Sequence, residues 1–451
     1  MAQVRNSAKT KRCQADEGRR YRLHPTHEQA GRLRGWGHSC RALWNLALEQ
    51  RQYVYRQRGV TLRLATQGTH LTAARAELDW LKDLPAQAGQ SVLRHLDAAY
   101  ENWWNRDHPS GAPVFKKRSG KLSVPLPGQA VRVEKLSRRW ASVTLPKIGP
   151  VRFRLTRALG GEVKNATVVL ERSGRWYVSF GVATGRKPGA PNGKPGCGVD
   201  FGVVQAAYVS DESSPRVMPK TLSDGEERRL LGLQRRQVRQ ITFAKKHNGG
   251  RYGNRLRRTT RQIAEVKARQ ARRRHDFTHK LTSDLAKNHG MVAIEDLRVI
   301  NMTAGAHGSV EEPGTRVAQK AAVNRGILDN MPGERRRQLE YKSSWYGSCL
   351  VAVNPAGYSQ TCAECGHRDA ASRISRDRFE CRGCGHRDDA DRSASRILHR
   401  RGTHLLATQD LFTAAGPAVD CTRRPSSDGP SPRSSGRRMR EPLNPSPVKA
   451  V

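Results

Sequence analysis

The chain has 451 residues, 36% of them hydrophobic, and carries 82 Lys and Arg against 40 Asp and Glu, a formal charge of +42. That is apolar residue enough for sizeable cores, and at about 150 residues per domain it is length for about three of them, so global disorder is excluded. No apolar run approaches a membrane span and the first residues lack a signal-peptide hydrophobic region, so a cytoplasmic chain is expected, with nucleic acid as its partner because neutralising phosphates rewards dense Lys and Arg.

Up to about Asn105 the pattern is helical. In RALWNLALEQRQYVY, Leu43, Leu46, Ala47 and Gln50 share a face, and in SVLRHLDAAYENWW so do Val92, Leu96, Ala99, Tyr100 and Trp103. Trp103 and Trp104 could stack on bases, but neighbours on a helix point about 100° apart, so one of the two is expected in the core. From about 110 to 183 the character is β, as a barrel or small sheet, with Ser173-Gly174 turning a hairpin between ATVVLE and WYVSFGV. Ahead of it, Phe115 with Lys116, Lys117 and Arg118 makes a phosphate-gripping element, against the alternative of an ordinary solvated loop.

TGRKPGAPNGKPG, residues 184–196, holds four Gly and three Pro and reads as a linker. A strand, CGVDFGVVQAAYVS, follows it. Between Arg228 and Lys280 lie 18 Lys and Arg and only two acids, Glu265 and Asp276. Leu256, Ile263, Val266, Phe277, Leu281 and Leu285 recur there at helical intervals, so the segment is amphipathic with a strongly basic outer face, and Arg257, Arg258 and Arg261 are candidate phosphate contacts. Next come a strand, HGMVAIEDLRV, a Gly/Pro-bearing segment, a helical stretch RGILDNMPGERRRQLEYKSSWYG and a strand SCLVAVNP. The Pro-, Ser- and Arg-rich end reads as disordered.

Cys362, Cys365, Cys381 and Cys384 form C-x2-C-x15-C-x2-C, two matched knuckles, CAECGHRD and CRGCGHRD. Matched pairs at this spacing point to structural zinc rather than redox chemistry, and four thiolates close a tetrahedral shell. His367 and His386 are then polar knuckle residues. Catalysis must lie elsewhere, and three acids stand out: Asp200 in GVDFGV, Glu295 ending the apolar strand MVAIE, and Asp391 in HRDDADRSASRIL. The glycines beside Asp200 are expected to admit a substrate backbone. A carboxylate at the end of an apolar strand is costly unless paired or bound to a cation, although strand-end acids also serve as helix caps. Together the three could gather two Mg²⁺ for phosphodiester hydrolysis. There is no GxxxxGK[ST] phosphate cradle and no nucleophile elbow.

The order GVDFGV, IEDLRV, four zinc-spaced cysteines and DDADRSASRIL resembles the TnpB family, the OrfB-type proteins of small insertion sequences, compact relatives of the type V CRISPR effectors. YRLHPTHEQAGRL, PVFKKRSG, LPKIGPVRFR, RWYVSF, RRHDFTHKL, QLEYKSSWYG and SQTCAECGH extend the likeness over about Tyr21 to Leu398. The resemblance implies an RNA-guided DNA endonuclease whose partners are guide RNA and target DNA; a monomer on one RNA is expected, and the lack of a long apolar run gives no membrane partner. It implies an α+β multidomain fold: wedge-like β-barrel halves (1–30 and 106–183) around a helical recognition lobe (31–105), then the linker 184–196. An RNase H-like, RuvC-type nuclease domain (197–360 and 387–400) follows, with an inserted zinc ribbon (361–386); the tail 401–451 lies outside the likeness and its composition reads as disordered. By the same resemblance Asp200, Glu295 and Asp391 are the catalytic acids that bind magnesium, and the four cysteines are the zinc ligands. The family usually has Asn where Ser393 stands, and Asp388 and Asp389 crowd the third position. The competing function is a guide-dependent DNA-binding repressor or an accessory transposition protein without cutting activity.

Overall fold

The computed structural model describes residues 16–105, 110–306, 308–309 and 311–413. Strand β1 (Glu17–His24) leads into four helices, α1 (His27–Arg58), α2 (Leu64–Glu77), α3 (Asp79–Asp83) and α4 (Ala86–Trp104). Then come β2 (Leu122–Pro127), β3 (Arg132–Lys135), β4 (Trp140–Leu145), β5 (Gly149–Arg154), β6 (Glu162–Leu170) and β7 (Trp176–Ala183). Helix α1 starts at a capping box, Thr26 with Gln29, which satisfies two of the orphan donors of the first turn. The strands form one antiparallel sheet in the order β2-β6-β7-β1-β5-β4-β3, so the chain's first strand sits in the middle of it. β7 alternates buried and half-buried residues along its length, the period of a sheet covered on one face. Gly174 turns the β6–β7 hairpin with φ 77°.

The cover is the helices. Leu33, Trp36, Leu48, Leu93 and Leu96 share a single core with Tyr21, Phe153, Val178 and Phe180 of the sheet. α1 and β2 approach so closely that a Cβ on Gly37 would lie 2.8 Å from that of Leu122. The helical and β regions that the sequence separates are thus one hydrophobic unit. Neither Trp103 nor Trp104 enters it. Both are exposed at the end of α4 and lean on Tyr100, which takes the buried position expected for one of them.

After an extended segment, the second half contains β8 (Gly196–Asp200), β9 (Tyr208–Val209), α5 (Asp224–His247), α6 (Asn254–Asn288), β10 (Met291–Glu295) and α7 (Val299–Met302). α8 (Val317–Asp329), α9 (Pro332–Tyr346), β11 (Cys349–Val353), β12 (Arg378–Glu380), β13 (Arg387–Asp389) and α10 (Ala390–Thr413) complete it. Its sheet runs β11-β10-β8-β9, with β8, β10 and β11 parallel and β9 antiparallel to β8. α6 lays Leu256, Ile263, Val266, Leu281 and Leu285 inward and leaves its arginines outside, as the periodicity predicts. The segment read as one helix from Arg325 to Gly347 is two. It breaks at Met331, a left-handed residue with φ 54°, before Pro332 at the first helical position.

α10 crosses β8 at close range. A Cβ on Gly198 would lie 2.0 Å from the Ser395 carbonyl oxygen, so this glycine makes room for the helix and not for a substrate. α10 also continues past 400, where the sequence places the start of a disordered tail. The rest of that tail, 414–451, lies outside the described residues, as do positions 1–15 of the first barrel segment.

Candidate active site

Val199 pairs with Ile294 across adjacent parallel strands, so the next residues, Asp200 and Glu295, stand side by side at the carboxyl ends of β8 and β10. Such ends are where open α/β sheets bind ligands. Asp391, in the first turn of α10, reaches the same place from above. A Cβ on Gly202, just past β8, would lie 3.8 Å from Asp391 Oδ2, an ordinary contact that puts this carboxylate beside the loop, and 2.6 Å from the Gln205 carbonyl oxygen, so the glycine serves the turn of the loop itself. Asp200 is buried, only 7% exposed, and its carboxyl is pushed up to about 8, first by burial and then by the charges of Glu295 and Asp391. Burial also raises Glu295 and Asp391 above the usual carboxylate range. The opposing groups are few. Tyr358 donates to Asp200 Oδ1 at 3.3 Å, and Arg373 donates to Asp391 Oδ1 at 3.2 Å. Three neighbouring carboxylates with so little compensation are the oxygen donors a hard divalent cation such as magnesium takes, but their oxygens do not all lie within 4.8 Å of one another as the four thiolates do, so they are gathered at one end of the sheet and not yet closed around a single ion.

The crowded acids before α10 have three separate settings. Asp389 caps the helix, accepting from the amides of Asp391 and Arg392 at 2.9 and 3.1 Å. Asp388 lies between Arg392 and Arg396, each 3.6 Å away. Asp391 alone of the three faces Asp200 closely enough to be among the main causes of its shift. Ser393 is buried, with its hydroxyl unpartnered.

The four cysteines converge. Cys362 Sγ lies 3.8 Å from Cys384 Sγ, and Cys365 Sγ 3.6 Å from Cys381 Sγ. Sulfurs about 2.3 Å from a tetrahedral zinc would be about 3.8 Å apart, so the set fits that ion. The amides of Glu364 and Gly383 point at Sγ of Cys362 and Cys381 at 3.4 and 3.3 Å. Gly366 and Gly385 close the two knuckles with φ 76° and 70°, a conformation that favours glycine. The four sulfurs make the set without an imidazole, and His367 and His386 accept from the Cys362 and Cys381 amides through their backbone carbonyls.

Arg257, Arg258 and Arg261 are exposed on α6, the last of them 3.7 Å from Glu265. Other arginines of the basic stretch are occupied inside the protein: Arg269 and Arg273 hold Glu226 of α5, and Arg274 holds Asp329. Lys116, Lys117 and Arg118 are all exposed, and Lys116 also rests its ammonium 3.7 Å from the Trp44 ring centroid. Asn45 grips both the amide and the carbonyl of Lys116, and Trp44 donates to the Val114 carbonyl, so α1 fixes this loop. His275, His279 and Glu334 also cluster, but Arg337 and Gln338 already hold the Glu334 carboxylate. Sequence reasoning missed Tyr358 and Arg373. Nothing in their spacing marks them, because both come to the acids on irregular segments.

Three family models match the chain: "Helix-turn-helix domain" of the OrfB type over 16–59, "Probable transposase" of the same type over 179–305, and "Cas12f1-like, TNB domain" over 333–398. Residues 16–59 are in fact β1 followed by one long helix. InsQ of Escherichia coli (strain K12), assigned by name to the RNA-guided DNA endonucleases, is 32% identical over 88% of this chain and 95% of its own. The chain belongs to the TnpB family. A Streptomyces pristinaespiralis protein, also assigned by name to the RNA-guided DNA endonucleases, is 29% identical over 77% of this chain and 80% of its own. Among solved structures, a Cas12f1–sgRNA–target DNA complex aligns over 83% of each chain at 15% identity, with a TM-score of 0.49.

Proposed function

We propose that Asp200, Glu295 and Asp391 are the cutting centre of a transposon-associated, RNA-guided DNA endonuclease. The observation that carries this reading is the convergence of three poorly compensated carboxylates on the ends of two parallel strands and a helix. A protein that only bound DNA would gain nothing from such a cluster, which repels phosphate unless a cation intervenes. Bound magnesium would supply charge neutralisation at the scissile phosphate and acidify a water nucleophile. The chain's own part is placement. β8 and β10 fix two carboxylates side by side, α10 brings the third, and Asp389 fixes the first turn of that helix. We assign the sheet and α10 to an RNase H-like, RuvC-type domain, and the knuckles with β12 and β13 to a zinc ribbon whose closed thiolate shell leaves no position for catalysis.

Guide RNA and target DNA are held through phosphates by exposed basic residues, among them Lys117, Arg118, Arg257, Arg258 and Arg261, while base pairing chooses the sequence. The first half serves as the wedge and recognition unit. The test is a Mg²⁺-started cleavage assay with the protein, its co-purified RNA and a matched target. Asp200→Ala and Asp391→Ala should cut at background rate, and Asp388→Ala should still cut. Cutting by the Asp200→Ala protein would overturn the assignment, and absence of cutting by wild type would favour the guide-dependent binding protein.

A further inference from the structure

Between the thiolate knuckles and the acids lies Tyr358, the hydrogen-bond donor to Asp200. Tyr358 opens a 3-10 turn, Tyr358–Gln360, four residues before Cys362. Its ring packs against the small core of Met291, Ala293, Val353 and Leu398, and its hydroxyl donates to Asp200 Oδ1 at 3.3 Å and interacts with the Glu295 carboxylate. We propose that Tyr358 is a positioning residue through which the zinc-held knuckles keep the carboxylates of Asp200 and Glu295 aligned for a cation. The proposal rests on the reading of those two acids as the cutting centre.

The turn cannot shift independently of its surroundings. On one side Arg401 of α10 donates to the carbonyls of Asn354 and Ala356 at 3.2 and 3.0 Å. On the other, the first knuckle folds back on it: the Asp369 amide donates to the Gln360 carbonyl at 3.1 Å, and Thr361 bridges to Arg368. Gly357, just before Tyr358, has φ 69°, and the Arg368 guanidinium lies 2.3 Å from where its Cβ would be. The positive φ favours glycine here, and any other residue would also push the Arg368 side chain off the turn. The Cys362 amide in turn donates to the His367 carbonyl at 2.8 Å, so the segment carrying Arg368 and Asp369 is set by the geometry of the thiolate loop.

A phenol suits this place because it donates one hydrogen bond and brings no charge. A carboxylate offers about four lone-pair sites, so a hydroxyl on one side of Asp200 Oδ1 leaves the rest of the group free for a cation. Without the hydroxyl, the two adjacent carboxyl groups lose the shared partner that ties their rotamers to the turn.

The test uses the full chain with its co-purified RNA and reads Mn²⁺ binding by the electron paramagnetic resonance signal of free Mn²⁺, beside cutting across a range of Mg²⁺. Tyr358→Phe should keep its zinc and its RNA and bind Mn²⁺ about tenfold more weakly, a loss of about 1.4 kcal/mol. Its cutting should be slow at low Mg²⁺ and largely restored at high Mg²⁺. Cys365→Ser should weaken Mn²⁺ binding in the wild-type background and add little to Tyr358→Phe. If the Cys365→Ser chain does not fold, Tyr358→Phe decides alone. Unchanged or tighter Mn²⁺ binding by Tyr358→Phe, with Asp200→Ala losing both Mn²⁺ and cutting, overturns the role of Tyr358. Retention of both by Asp200→Ala overturns instead the reading of the acids.

Discussion

The two halves of the molecule are held together by different means. The first half joins four helices and a seven-stranded sheet in one continuous core centred on Trp36, Tyr21, Phe153 and Phe180, with few polar groups inside. The second half divides its apolar residues among three small clusters and buries Asp200, Thr282, Asn330, Arg335, Gln338 and Lys342 between them. Lys342 donates to the His279 carbonyl and to Thr282, while Arg335 donates to the Ala206 carbonyl and to Asn330. Asn330 in turn donates to the Val203 carbonyl, on the loop that follows Asp200. A half that must carry repelling carboxylates at the edge of its sheet cannot be lined with apolar side chains alone. It relies on directional hydrogen bonds and holds four thiolates placed to fit zinc, devices that specify geometry at a cost in stability.

The sharpest way to break this contrast is at the knuckles. Cys362→Ser should release zinc and expose the second half to proteolysis and hydrogen exchange while the first half stays protected, since structural zinc contributes on the order of 10 kcal/mol in isolated fingers. Uniform loss of protection would mean that the halves fold as one. The reciprocal change is Trp36→Ala, which removes the largest fully buried side chain and its 3.0 Å hydrogen bond to Asp83, at a cost of about 3–5 kcal/mol. Denaturant titration should place that loss in the first half, with zinc content unchanged.

A smaller effect should have the opposite sign. Folded Asp200 holds its proton to about pH 8, against an ordinary value of 3.8, so in Mg²⁺-free buffer it erodes stability progressively as pH rises between those values. Asp200→Asn should therefore raise the melting temperature at pH 8 by on the order of a few degrees, and should raise it little at pH 4. Equal shifts at both values would mean that the carboxylate is not strained. Least of all should stability respond to Arg257→Ala, Arg258→Ala and Arg261→Ala together, within about 0.5 kcal/mol. Their effect belongs to nucleic-acid binding, where each lost phosphate contact should reduce the log–log salt slope by about 0.7–0.9. An unchanged slope would leave them an ordinary solvated face.

What could be read in advance follows the same division. The β6–β7 hairpin, the inward face of α6 and the thiolate set were legible because period, turn residues and cysteine spacing are local signals. The shared core of helices and sheet was not, because the sequence does not say that Gly37 meets Leu122. At the site, Asp200 and Glu295 stood out as acids ending apolar strands, but only the fold brings Tyr358 and Arg373 to them from irregular segments. The left-handed Met331 that splits α8 from α9 was equally hidden, since methionine is not a residue type that signals the αL conformation.

Affinity is proposed to come from dispersed basic residues and base pairing, and chemistry from the strand-end acids. Glu295→Gln tests it most directly, with cutting and target binding measured on one preparation at saturating guide RNA. Cutting should fall about a thousandfold, the scale of several kcal/mol lost with a catalytic metal position, while target binding stays within about threefold. Cutting near the wild-type rate, or binding lost in proportion to cutting, would contradict it.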